Sequence, residues 1–126
     1  MQFGVLLAIA GGGALGSLLR FFVASAIQRP TMTFPLGIMI VNITGGLIMG
    51  IIVEASALKL QLSPELRAFL TVGILGGYTT FSTFSLDSAL LIQRGEYVSA
   101  ATYIIGSTAL SILALFTGLW LVRAVV

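Results

Sequence analysis

Between Leu66 and Ile92 an otherwise apolar stretch carries the run Gly76-Gly77-Tyr78-Thr79-Thr80-Phe81-Ser82-Thr83-Phe84-Ser85. Two glycines and five serine or threonine hydroxyls are poor material for a helix that faces lipid. At membrane depth, backbone that loses its helical hydrogen bonds survives only where it is buried in protein or lines a polar cavity. The segment therefore predicts a helix broken near residues 76–80, with a place for an ion or small polar solute at the break.

That argument requires a membrane, and composition supplies one. Of 126 residues, 58% are hydrophobic and 8% charged, with a mean hydropathy of +1.13. A soluble domain carries roughly a quarter charged residues, so the chain reads as an integral protein of the lipid bilayer. Its first apolar stretch has no Lys/Arg-rich lead and runs past signal-peptide length, as expected of a retained span. Cysteine and histidine are absent, which excludes disulfides, thiolate metal sites and the commonest general base. A surplus of two positive charges gives no reason to expect nucleic acid.

Four apolar segments, at about 3–27, 34–58, 66–92 and 97–121, each approach the roughly 20 residues a spanning helix needs. No link is long enough for a further domain, so 1–126 reads as one membrane domain. Ser63-Pro64-Glu65 predicts a helix start: an N-cap, proline at the first helical position and an acidic first turn. An even number of crossings puts Lys59, Arg67 and Arg123 on one side and Arg20, Arg29 and Arg94 toward the other. Lys/Arg bias sets orientation, and here it is balanced. Either one strong span decides the insertion, or both orientations are made and pair as an antiparallel homodimer. We favour the second, because four helices alone scarcely enclose a polar path and twofold pairs are the commonest oligomers.

Several residues are candidates for chemistry. Gly12, Gly16 and Arg20 share one face of helix one. The glycines suit close helix packing, whereas a cation inside a span needs a partner, a wet cavity or a route to the headgroups. Asn42 in helix two has an amide that can bond a neighbouring helix or donate to an anion, and Glu54 is expected at the interface. Tyr103, Ser107 and Ser111 fall at successive i+4 steps on helix four. A lone serine commonly bonds back to its own helix, but three aligned hydroxyls make a polar track. A break in helix three would leave carbonyls free on one side for a cation and N–H groups on the other for an anion. Phe81 and Phe84, three apart, share a face, and their positive ring edges can replace part of an anion's water. Asp87 is an intramembrane carboxylate and a functional candidate by default, at a wet vestibule or paired with Arg20.

These residues resemble the small bacterial fluoride channels (Fluc) over essentially the whole chain. The matching pieces are Gly12-xxx-Gly16-xxx-Arg20, Gly37-xxxx-Asn42, the run from Gly76 to Ser85, and Gly106-Ser107 with Ser111. The resemblance implies an all-α, dual-topology antiparallel homodimer in the bacterial inner membrane, with two pores. It implies that Phe81 and Phe84 line each fluoride path, that Asn42 donates to fluoride, and that Tyr103, Ser107 and Ser111 form the track. Arg20 would lie in the vestibule, with Thr80 and Asp87 as further members of the path. The backbone carbonyls of Gly76 and Thr79 from both subunits would hold a structural sodium ion (Na+). There are two departures. Ile38-Met39 stands where the family often has Thr-Leu, so a hydroxyl is missing, and Asp87 replaces a usual Glu and reaches about one methylene less far.

The expected function is passive fluoride exit, protecting the cell from fluoride toxicity. A proton-coupled multidrug exporter of similar size would need a carboxylate in helix one, and that helix has neither Asp nor Glu. A non-transporting scaffold would explain the glycine faces but not the polar break. An enzyme is not expected, since no base–nucleophile pair or metal cluster stands out.

Overall fold

The computed structural model describes residues 2–126. Among them are six helices: α1 (Phe3–Ile27), α2 (Leu36–Leu58), α3 (Pro64–Ala68), α4 (Gly76–Tyr78), α5 (Phe81–Gln93) and α6 (Tyr97–Val125). A π-helical stretch, Phe69–Leu75, joins α3 to α4. The segments from α3 to α5 form one span, Pro64–Gln93, so the described residues hold four helices long and apolar enough to cross a membrane.

The ends of these elements follow from local chemistry. Helix α2 begins at Leu36, two residues after the expected Phe34, because a residue before proline is disfavoured in the helical region. The Gln28 amide closes the preceding turn. It donates to the Phe34 carbonyl at 3.0 Å and accepts from the Gly37 N–H at 3.0 Å. One of the unpaired donors at the start of α2 is thereby satisfied. Ser63 Oγ accepts from the Leu66 N–H at 3.1 Å, with proline next and Glu65 in the first turn. Between α5 and α6, Gly95 adopts φ +76°, a left-handed turn natural to glycine at a helix end. The Glu96 N–H there returns to the Leu91 carbonyl at 2.9 Å.

Packing is by backbone approach, as expected where lipid tails are as apolar as leucine. Helix α1 runs against the π-helical stretch and α4, while α2 runs along α6. A Cβ on Gly12 would lie 2.9 Å from the Gly73 Cα, and one on Gly77 would lie 2.6 Å from the Gly13 carbonyl oxygen. Few side chains are fully enclosed; Val41, Leu91 and Tyr103 are the largest. Phe3, Phe21, Phe22, Val98, Phe116 and Trp120 project outward.

The third span leaves helical geometry at Thr79 (φ −81°, ψ 157°) and Thr80 (φ −151°, ψ 122°). This lies within 76–80, at the threonines of the run rather than at its glycines. Gly76 stays helical at φ −63°, ψ −37°, and Gly77 is needed for contact with α1.

Candidate functional site

The break is made by side chains that offer the backbone better partners than its own helix does. Thr80 caps α5: its Oγ1 accepts from the Thr83 N–H at 3.1 Å. Asn42, from α2, grips the Thr80 peptide with both ends of its amide. Its Oδ1 accepts from the Thr80 N–H at 2.9 Å, and its Nδ2 donates to the Thr80 carbonyl at 3.1 Å. Arg20, from α1, donates through Nη1 to the Thr79 carbonyl at 3.3 Å. Two neighbouring helices thus take over the bonds that the third span gives up.

On the α2–α6 side of the break lies a groove of about 430 Å³. Asn42, Thr79, Thr80, Phe81, Phe84, Ser107 and Ser111 all line it. The Phe81 and Phe84 rings stand 5.5 Å apart, tilted by 47°. Phe81 is 78% exposed, so a large aromatic surface at the groove is uncovered by its own chain. Asn42 keeps its second amide hydrogen, since the side chain carries two and only one goes to Thr80.

The hydroxyls of α6 divide into two kinds. Thr102, Thr108 and Thr117 donate to the carbonyls four residues back, at 2.8, 2.7 and 2.8 Å. Ser107 and Ser111 do not; their oxygens are buried with no hydrogen-bond partner. An unmet buried polar group costs about 1–3 kcal/mol, and native proteins keep few of them. Both residues line the groove, and neither hydroxyl is committed to a partner among the described residues.

Tyr103, on the same stripe, is fully buried and points its hydroxyl elsewhere, donating to Asp87 Oδ2 at 3.1 Å. Its ring touches Phe84, with centroids 5.3 Å apart, and meets Phe34 edge-on at 5.7 Å. Asp87 lines a second cavity of about 350 Å³ with Gln28, Thr33 and Arg94. It forms no ion pair with Arg20 among the described residues. The structure therefore gathers Asn42, Thr80, both phenylalanines and both serines at one groove. Asp87 stands beyond Tyr103 at another cavity, and Arg20 approaches the break from α1.

Among the described residues, no cluster of His, Cys, Asp or Glu side chains could hold a metal ion; the break does offer backbone oxygens. The Thr80 N–H, which an unbroken helix would direct at Gly76, goes to Asn42, leaving the Gly76 carbonyl without its helical donor. The Thr79 carbonyl accepts once, from Arg20, and a carbonyl has a second lone pair. Both oxygens fit a hard cation such as sodium.

Residues 7–119 match the family model described as "CrcB-like protein, Camphor Resistance (CrcB)". The chain belongs to the CrcB-like family. Among its relatives, a protein of Rhizobium meliloti (strain 1021) named "Fluoride-specific ion channel FluC" is 48% identical over 122 residues, 96% of this chain and 98% of that one. A protein of the same name from Nitrobacter winogradskyi is 48% identical over 126 residues, 99% and 100% of the two chains. Another, from Rhodopseudomonas palustris (strain BisB5), is 49% identical over 115 residues, 90% and 93% of the two.

Sequence reasoning missed several features of this CrcB-like chain. Gln28 closes the turn before α2. Glu54, expected at the interface, is only 9% exposed; Arg123 holds it at 2.9 and 3.4 Å. Opposite charges near the same end of two spans were the available signal. Met49, Ile112 and Leu115 also line the groove, and nothing in their chemistry marks them.

Proposed function

We propose that this chain is a fluoride channel, carrying the anion passively through the groove beside the break. The observation that carries the reading is the pair of buried, unpartnered Ser107 and Ser111 hydroxyls on the same wall system as Phe81 and Phe84. Fluoride is small, strongly hydrated and a strong hydrogen-bond acceptor, so its passage needs donors that replace lost water. Ser107, Ser111 and the second Asn42 N–H supply them, and the phenyl edges add positive potential without a fixed charge. The names of the relatives point to the same ion.

Two further elements belong to this reading. The uncovered Phe81 and the balanced loop charges favour an antiparallel homodimer in which a second copy closes the groove. Sodium, held by the Gly76 and Thr79 carbonyls of both copies, would be structural: it coordinates the Gly76 oxygen left without its helical donor and the second lone pair of the Thr79 oxygen. Arg20, beside them, raises the local concentration of anions.

The test is purified protein in liposomes loaded with fluoride and chloride and followed with both electrodes and a proton probe. Fluoride efflux is expected without matching chloride efflux and without a fixed proton ratio. Equal chloride flux, or proton movement locked to substrate, would rule out a selective leak.

A further inference from the structure

The upstream lip of the break has a support of its own. Tyr78, the last residue of α4, lies with its hydroxyl 3.0 Å from Thr44 Oγ1 on α2. Thr44 has one hydroxyl hydrogen and two carbonyls of its own helix within reach, Ile40 at 2.8 Å and Val41 at 3.1 Å. With that hydrogen on either carbonyl, Tyr78 donates and Thr44 accepts. The ring can lie there because position 45 is glycine: a Cβ would come 3.3 Å from the Tyr78 Cδ2 and would collide with the Thr79 methyl.

We infer that Thr44 is a positioning residue for the ion path, acting through Tyr78 to fix the peptide that leads into Thr79. The inference rests on the reading of the groove as a fluoride path. Asn42 holds the downstream lip at Thr80, and the Thr44–Tyr78 contact holds the upstream one. Between them, Thr79 has its carbonyl directed at Arg20 and its side chain at the groove wall. With the upstream contact gone, Thr79 keeps its two bonds to the Leu75 carbonyl, but α4 loses its side-chain tie to α2, and the peptide leading to the Thr79 carbonyl is held less firmly.

Thr44→Val keeps the shape and removes the acceptor, Tyr78→Phe removes the donor, and Thr44→Ser keeps a hydroxyl. Fluoride efflux from liposomes is expected to fall about fivefold in each of the first two, the equivalent of one ordinary hydrogen bond. The double variant should lose no more than either single one, because both break the same contact. Thr44→Ser should retain the parent rate. Amide hydrogen exchange over residues 76–81 should quicken in Thr44→Val and Tyr78→Phe, but not in Thr44→Ser. Unchanged flux and exchange in Thr44→Val, or losses that multiply in the double variant, would overturn the inference. If the parent protein passes no fluoride, the channel reading fails, and the exchange comparison alone still decides whether Thr44 positions the break.

Discussion

Ser107 and Thr108 are neighbours on α6, and both line the groove, yet their hydroxyls do different things. Thr108 donates to Ile104 in its own helix; Ser107 donates to nothing in the protein. Ser107→Ala is therefore expected to lower fluoride flux at least tenfold while leaving thermal stability in detergent unchanged or raised by about 1 kcal/mol, since a buried unmet group disappears. Thr108→Ala should change flux little. Equal effects in the two variants would mean that the groove wall does not discriminate between them. At this scale the sequence was informative for residue type and incomplete for orientation. The i+4 stripe of Tyr103, Ser107 and Ser111 is real, but Tyr103 is diverted by Asp87, a contact between two spans that spacing along one helix cannot reveal.

The third span shows why an interruption was easier to foresee than its cause. Gly76 and Gly77 sit just before the break but stay in α4, where Gly77 lets α1 approach. The departure from helical geometry falls on Thr79 and Thr80, where Asn42 and Arg20 supply substitute partners. Those partners lie 38 and 59 residues away in sequence, beyond any local pattern. The π-helical stretch before them was also invisible, because its composition, Phe69 to Leu75, is that of an ordinary apolar helix. Gly77→Val places a side chain 2.6 Å from the Gly13 carbonyl oxygen, against backbone that cannot yield. We expect a loss of about 3 kcal/mol or more, within the range for severe core overpacking, seen as a collapse of folded yield on size-exclusion chromatography. Gly76→Ala, whose Cβ would meet only the Thr71 oxygen at 3.6 Å, should fold normally, and the contrast separates packing from flexibility.

Over the whole molecule, the two tight helix pairings leave Phe81 and the groove open on one side, and the loop charges give little instruction on orientation. Adding two lysines to the turn at 29–33 is expected to fix one orientation and to cut fluoride flux severely. Coexpression with a chain given two lysines at 59–63 should restore flux, read by efflux from liposomes and by cross-linking of the two versions. Full flux from either biased version alone would remove the antiparallel pair. Fold class was legible throughout, because four apolar runs in a chain this poor in charge admit one arrangement of backbone polar groups. The pairing of α1 with the third span, and of α2 with α6, was not, since glycine faces occur on several helices. The clamp on Thr79 and Thr80 also bears on how the protein is made. Arg20 and Asn42 lie on the first two helices, so they leave the ribosome before the peptide they hold. The exposed backbone then meets its partners on arrival in the bilayer, and a circularly permuted chain that begins at Ser63 would send that peptide into bare lipid first.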